Sequence, residues 1–238
     1  MTDGTTGDDR TPLTFGQELI RSGHRAGQEG AYGRHPVVAL RLTGTLDRGA
    51  LTSALRGLVA RHEPLRTTFT GPDDGSPAGA RVWPAGPVEL EHADLAAPGT
   101  DPDRLEARVA ELAARPYDLA SGPLLRSLLI RLAADEHLLV LIAHRIAADT
   151  RSRAIITAEL AELYAAAATG RTPRLPELPV RYAQYAAEQR ARVTDAELAA
   201  QLDHWRGRLG GLPALRLPTD RPRTRARGRV RGRSVGSR

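Results

Sequence analysis

The chain has 238 residues, 41% of them hydrophobic, and no cysteine, which excludes disulfide bonds, thiolate metal sites and thiol nucleophiles. Its net charge of +6 comes from one end, because residues 221–238 carry eight arginines and no acid, whereas the other residues carry 26 arginines against 28 acids. This basic tail lacks the interleaved aromatic residues that stack nucleic-acid bases, so nucleic-acid binding is the weaker interpretation.

The start of the chain and its apolar runs bear on location. Residues 1–12 are polar and acidic, unlike a secretory signal. No apolar run approaches the roughly 20 residues that a membrane-spanning helix needs. We therefore expect a cytoplasmic protein with no membrane contact, whose residues 1–11 are disordered.

Local patterns predict alternating helices and strands in the first half of the chain. Thr14 and Gln17 have the spacing of a capping box at the start of a short helix. Residues 36–43 are typical of a strand, and apolar residues at helical spacing after Asp47 predict a helix that ends near Arg61. Further predicted elements are strands at 66–70, 81–83 and 88–92, and a helix around 105–112 that ends before Pro116.

The middle of the chain is its most apolar part. Residues 124–132 and 137–142 are two runs rich in Leu, Ile and Val, which is typical of adjacent buried strands. A helix follows residue 149 and ends at Gly170. Its predicted inner face consists of Ile155, Ile156, Leu160, Leu163 and Tyr164.

Two further helices are predicted at 180–192 and 195–209. The second begins with a capping box formed by Thr194 and Glu197. The aromatic residues on these two helices are predicted to pack in the core; they are Tyr182, Tyr185 and Trp205.

Short motifs are distributed in order along residues 12–222. They are 12–17 (PLTFGQ), 44–47 (GTLD), 61–69 (RHEPLRTTF), 116–119 (PYDL), 122–126 (GPLLR), 144–150 (HRIAADT), 182–186 (YAQYA) and 217–222 (LPTDRP). In this order and at these intervals they resemble motifs of the condensation domains of nonribosomal peptide synthetases, which are members of the chloramphenicol acetyltransferase-like superfamily. Residues 144–150 stand where that family has its HHxxxDG signature.

The resemblance implies an α/β fold of the α+β sandwich type: a single chloramphenicol acetyltransferase-like lobe in which a mixed sheet is packed with helices. Family members have two similar lobes with a reaction tunnel between them, roughly twice this length by domain-size norms. We therefore expect residues 12–222 to form the N-terminal lobe. Residues 223–238 would be an Arg-rich tail or the severed lead-in to a missing second lobe.

The resemblance also implies catalytic residues, namely His144, Arg145 and Asp149 of a degenerate signature. In the family, the second signature His takes part in proton transfer as a carrier-bound acyl thioester passes to an amine. Arg145 holds that place here, and a guanidinium has no acceptor and a pKa above about 12, so it cannot abstract a proton. Side-chain alternation along a strand predicts that His144 faces the packed side and Arg145 the tunnel. We therefore expect impaired amide formation.

The signature Asp corresponds to Asp149, which the resemblance assigns to a structural ion pair. Arg61 and Arg66 are the candidate partners. Thr150 stands where the signature has Gly, and its branched side chain narrows the space through which a pantetheine arm would approach.

Four interpretations remain open. The chain is an N-terminal lobe that needs a second lobe in trans, a non-catalytic recruitment module for a tailoring haem monooxygenase or a carrier protein, a polyanion-binding protein acting through its tail, or a remnant without selected activity. The resemblance implies peptidyl and aminoacyl carrier proteins as partners, with a complementary C-terminal lobe or a tailoring oxygenase as further candidates. It implies no cofactor or metal of the chain's own, because carrier proteins present the phosphopantetheine. An exposed inner face predicts dimerisation or marginal solubility.

Overall fold

The computed structural model describes residues 10–25, 35–70, 79–96 and 102–213. The predictions for residues 1–9 and for the Arg-rich tail lie outside the described residues. The strands are β1 Val37–Thr43, β2 Thr67–Thr70, β3 Gly79–Val82, β4 Glu91–Asp94, β5 Leu125–Ala133 and β6 Glu136–Ala143. The helices are α1 Phe15–Arg25, α2 Arg48–Arg61, α3 Pro102–Ala114, α4 Thr150–Thr169, α5 Tyr182–Arg192 and α6 Asp195–Leu209, with a short 3₁₀ helix at Glu63–Arg66.

Four of the strands form a mixed sheet in the order β1-β6-β5-β4. β4 runs parallel to β5, whereas β1, β6 and β5 are antiparallel neighbours. β2 and β3 form a separate antiparallel pair, and Thr11 extends it by a bridge to Ala80. The predicted mixed sheet packed with helices is confirmed.

Both faces of the four-stranded sheet are covered by helices, because side chains alternate along β5 and β6. On one face, Leu129 and Leu139 pack with Leu55 of α2 and Leu160 of α4. On the other face, Val140 packs with apolar residues that include Leu112 of α3. The chain therefore builds a helix–sheet–helix sandwich, and the end of β6 lies inside it.

The predicted helix starts are confirmed by their caps. The Thr14 N–H donates to Gln17 Oε1 at 3.0 Å and the Gln17 N–H to Thr14 Oγ1 at 3.1 Å. Asp47 caps α2 by accepting the Ala50 N–H. Gly170 ends α4 with a φ of 66°, in the left-handed region that glycine adopts at low cost.

The chain divides into two compact units, residues up to Val193 and residues from Thr194 onward. The boundary lies inside the predicted lobe of 12–222. In the described part of the second unit, α6 begins with the predicted capping box of Thr194 and Glu197. Within the described residues, no helix is both long enough and apolar enough to cross a bilayer.

Several side chains predicted to be buried are exposed. Ile155 is 44% exposed, whereas Ile156 is buried, because neighbouring helical residues point in different directions and only Ile156 faces the core. Tyr182, Tyr185 and Trp205 are 36%, 42% and 53% exposed. The prediction that these aromatic residues pack in the core is therefore wrong.

Candidate functional site

The HRIAADT segment begins where β6 leaves the sheet. The His144 N–H donates to the Leu124 carbonyl at 2.8 Å, which continues the pairing of β6 beyond its last residue. The chain then turns tightly, because the N–H groups of Ala147 and Ala148 both donate to the His144 carbonyl at 2.9 and 3.1 Å. This turn carries residues 145–148 from the buried sheet to the start of α4.

His144 is buried, with 1% of its surface exposed, in a cluster of aromatic rings. Its ring centroid lies 4.5 Å from that of His35, 5.1 Å from that of Tyr117 and 5.6 Å from that of His24. This agrees with the prediction that His144 points to the packed side.

A backbone hydrogen bond fixes the tautomer of the His144 ring. The Ile146 N–H donates to His144 Nδ1 at 3.1 Å, so that nitrogen carries a lone pair and a neutral ring carries its proton on Nε2. Burial lowers the pKa of His144 to about 3, and the nearby positive charges of Arg145 and Arg126 add to this shift. The ring is therefore neutral at physiological pH, a weak base whose Nδ1 lone pair is engaged by the backbone.

Arg145 is partly exposed, unlike His144. Its backbone N–H donates to the Nδ1 of His35 at 3.2 Å. Two imidazole lone pairs, one on His35 and one on His144, therefore accept successive backbone N–H groups of the same turn. This arrangement holds the backbone of residue 145 between two imidazole rings.

Tyr117 and Arg126 complete the cluster. The Tyr117 hydroxyl donates to the Ile142 carbonyl at 2.9 Å, and burial raises the pKa of Tyr117 to about 12. The Arg126 guanidinium stacks on this ring, 3.6 Å from its centroid. It also donates to the carbonyls of Leu112, Arg115 and Pro116. Arg126 therefore joins β5, the end of α3 and the His144 cluster.

Asp149 does not form the predicted ion pair. Its side chain is exposed and caps α4, with Oδ1 accepting the Ser152 N–H at 2.8 Å and the Ser152 hydroxyl at 2.7 Å. These hydrogen bonds lower the pKa of Asp149, and the bond from the Ser152 hydroxyl has the largest effect. The prediction of an ion pair with Arg61 or Arg66 is wrong, because a carboxylate at the N-cap of a helix finds nearer partners in the first turn of that helix.

The two predicted partner arginines are engaged elsewhere. Arg61 Nε donates to Glu159 Oε1 at 3.2 Å, and the His62 ring Nε2 lies 2.5 Å from Glu159 Oε2. Glu159 is 9% exposed and stands on α4, so this ion pair joins the end of α2 to α4. Arg66 donates to the carbonyls of Trp83 and Ala60.

A cavity of about 540 Å³ is lined in part by Arg126. Its lining is mostly apolar and includes Trp83, Pro123 and Leu125 together with Arg66. His144 and Arg145 do not line it. The described residues also contain no group of three His, Asp or Glu side chains that could hold a metal ion.

The sequence analysis missed His24, His35, Tyr117 and Arg126. Of these, Tyr117 and Arg126 belong to motifs that carry the resemblance, but the motifs alone assign them no role. No local spacing links residues 24, 35, 117 and 144, because the tertiary fold alone brings their rings together.

The sandwich and the position of the 144–150 segment at the end of β6 define a chloramphenicol acetyltransferase-like α/β lobe. A family model described as "Condensation domain" matches residues 9–235. The chain belongs to the condensation-domain family.

Individual relatives agree with this assignment. The chain is 41% identical over 220 residues to a linear gramicidin synthase of Brevibacillus parabrevis, covering 91% of this chain and 4% of that protein. It is similar in structure to the X-domain from teicoplanin biosynthesis, with a TM-score of 0.74 and 36% identity. A chain of the solved complex of the X-domain and OxyB from the same biosynthesis matches with a TM-score of 0.77 and 36% identity. Both matches cover 93% of this chain and 48% of the other, so the chain spans about half the length of these solved relatives.

Proposed function

We propose that this chain is a condensation-family lobe of nonribosomal peptide assembly that does not itself supply the base for amide formation. The observation that supports the proposal is the state of the signature dipeptide. At position 145 a guanidinium stands where the family has its base, and it holds no lone pair. At position 144 the imidazole is buried, and its Nδ1 accepts the Ile146 N–H.

Neither side chain has the properties of a general base at neutral pH. An effective base needs an accessible lone pair and a pKa near the working pH. Burial and nearby positive charge hold the pKa of His144 at about 3, which is far below that range. Loss of a general base costs typically about 10²–10⁴-fold in rate. Arg145 retains the capacity to orient a carbonyl or to bind an anion.

An amide-forming assay tests this proposal. The chain is incubated with a donor acyl-carrier protein and an acceptor aminoacyl-carrier protein, whose phosphopantetheine arms present the two substrates, and the amide is quantified by mass spectrometry. A catalytically competent condensation domain serves as the positive control for the carriers. We expect no amide above the background without protein. Amide formation by this chain that disappears in the Arg145→Ala variant would refute the proposal.

A second candidate function is the docking of a tailoring haem monooxygenase. Its support is the 36% identity to a chain of the solved complex of an X-domain and OxyB. The test immobilises the chain and measures retention of an oxygenase encoded beside it, followed by haem absorbance. Saturable retention that survives Arg145→Ala would favour docking, and no retention would count against it. Retention of a carrier protein instead would favour the carrier as the docked partner.

A further inference from the structure

The cavity of about 540 Å³ is lined entirely by residues of the first compact unit. Its walls are the end of α2 with the 3₁₀ helix and β2, residues of the segment 83–89 that precedes β4, and residues 121–127, where β5 begins. None of the described residues 144–150 lines it. Its volume lies in the range of about 300–1,000 Å³ that is typical of pockets for small molecules. The cavity is therefore a site separate from the signature segment.

Apolar side chains form most of the lining. Leu65 contributes from the 3₁₀ helix, Val88 from the segment that precedes β4, and Leu125 from β5. Trp83 forms part of the wall and is 43% exposed. Its indole N–H donates to Thr68 Oγ1 at 2.9 Å, which holds the ring in place. A ligand with an apolar body would cover this ring, and removing the ring from water favours binding.

Two arginines, Arg66 and Arg126, line the same cavity. Arg66 donates to the carbonyls of Trp83 and Ala60, and Arg126 donates to backbone carbonyls at the end of α3 and just after it. A carbonyl oxygen accepts a hydrogen bond but carries no net charge. In the part of the chain that the structure describes, neither guanidinium forms an ion pair with a carboxylate. The two positive charges are therefore not neutralised by their hydrogen-bond partners.

The acidic residues of the lining do not balance these charges. Glu91 is already engaged by Arg108 and Arg115, at 3.1 and 2.5 Å. Glu89 is exposed to solvent, and it is its backbone carbonyl that accepts a hydrogen bond from the Ser127 hydroxyl. Solvent weakens the attraction that an exposed carboxylate exerts. The cavity therefore combines an apolar lining with an excess of positive charge, which favours an anionic ligand.

Arg66 has hydrogen-bond donors available for such a ligand. A guanidinium carries five N–H groups, and each terminal nitrogen of Arg66 makes one hydrogen bond to a carbonyl. Each of these nitrogens therefore has a second N–H group. Arg126 is less available, because its Nη1 already donates to two carbonyls. The planar guanidinium matches the two oxygens of a carboxylate, so a carboxylate is the anion that suits Arg66.

We propose that this cavity binds a small carboxylic acid with an apolar aliphatic or aromatic body. The carboxylate accepts hydrogen bonds from Arg66, and the body packs against Trp83 and Leu125. The charge of Arg126 adds to the attraction without a direct bond. The signature residues take no part in this binding, which is therefore independent of whether the chain supports amide formation.

Titration with octanoate, which is ionised at pH 7, tests the proposal. The full chain carries Trp205→Phe, so that Trp83 is its only tryptophan. Octanoate is added at constant ionic strength and below the concentration at which it forms micelles. We expect a saturable shift of Trp83 emission to the blue, because the ligand removes water from the ring. Octanamide, which has the same length but no charge, should bind about fivefold more weakly, since charge-assisted hydrogen bonds are roughly twice as strong as neutral ones.

Two matched variants of the Trp205→Phe chain locate the carboxylate. Arg66→Gln should weaken octanoate binding by about fivefold, because it removes the charge-assisted hydrogen bonds. It should leave octanamide binding unchanged, which also shows that the variant is folded. Arg104→Gln removes an exposed charge on α3 that does not line the cavity, and it should bind both compounds like the parent chain.

Several outcomes would overturn the proposal. One is the absence of a saturable shift of Trp83 emission, and another is equal affinity of the parent chain for octanoate and octanamide. Octanoate binding that is unchanged in Arg66→Gln, or weakened equally in Arg66→Gln and Arg104→Gln, would show that Arg66 does not hold the carboxylate. If Arg66→Gln does not fold, the comparison of octanoate with octanamide in the parent chain decides whether the cavity selects a carboxylate.

Discussion

Replacing His144 with asparagine is expected to remove part of the acid sensitivity of the fold. Burial places the pKa of His144 at about 3 in the folded chain, against 6.5 for the unperturbed group. Between these two pKa values the unfolded chain binds a proton that the folded chain does not. The stability that comes from burying the neutral ring is therefore fully present above pH 6.5 and is lost as the pH falls towards 3.

The magnitude follows from the two pKa values. One pKa unit corresponds to about 1.36 kcal/mol, and pH 5 lies 1.5 units below 6.5. The parent chain should therefore lose about 2 kcal/mol of unfolding free energy through His144 between pH 7 and pH 5. Asparagine is a suitable replacement because its side-chain oxygen can accept the Ile146 N–H that His144 Nδ1 accepts, and it does not titrate.

The assay is urea unfolding of both proteins at pH 7 and pH 5, followed by far-ultraviolet circular dichroism. Every other titrating group is common to the two chains, so the difference between their pH slopes isolates His144. Some loss of stability in His144→Asn at pH 7 is expected from the smaller side chain, and it does not affect the comparison of slopes. Identical losses between pH 7 and pH 5 would refute the conclusion that His144 is buried as a neutral ring.

Substitutions at three further positions test the packing around α4 by unfolding measurements at pH 7. Asp149→Ala should lower the free energy of unfolding by about 1 kcal/mol, because it removes the hydrogen bonds by which Asp149 caps α4. Asp149→Asn should lower it little, because Asn caps a helix as well as Asp. A loss in Asp149→Ala several times larger would support the ion pair that the resemblance implies. Glu159→Ala should cost about 3 kcal/mol, because it leaves a partly buried arginine without its carboxylate, and an unchanged midpoint would contradict this. Gly57→Val should cost about 1–3 kcal/mol by overpacking, since a Cβ at residue 57 would lie 3.1 Å from Leu163; no loss would show that Leu163 moves freely.

The fold was predictable wherever the information was local. Capping pairs such as Thr14 with Gln17 set helix starts within a few residues, and the structure confirms them. The two apolar runs form β5 and β6, because pairing as antiparallel neighbours satisfies the backbone of such buried segments. The order of the motifs along the chain predicted the condensation-domain family, which composition alone does not indicate.

Burial was less predictable than secondary structure. A helical period shows which residues share a face, but it does not show whether another element covers that face. Trp205 illustrates this: an aromatic residue on a helix is expected to pack in the core, yet the structure leaves it 53% exposed. The predicted burial of Ile155 was wrong for a related reason, since this residue lies at the border of the buried helix face that Ile156 occupies.

The partners of the signature residues were unpredictable because they lie far apart in the sequence. His35 is 110 residues from Arg145, and its Nδ1 accepts the Arg145 N–H. The ion pair assigned to Asp149 by resemblance does not form, because Asp149 caps α4 through Ser152 while Arg61 pairs with Glu159 further along that helix. A carboxylate at a helix N-cap bonds the nearest donors, and sequence spacing reveals those in the first turn but not a distant arginine.

The two signature positions differ in what the fold demands of them. Position 144 is fully enclosed and must supply both a ring for the aromatic cluster and an acceptor for the Ile146 N–H, so a change there disturbs the core. Position 145 contributes its backbone N–H to His35, while its side chain lies at the partly exposed end of β6. Because any residue except proline supplies that N–H, this hydrogen bond does not depend on which side chain stands at position 145. Because side chains alternate along the strand, position 144 packs in the core whereas the side chain at position 145 is partly exposed.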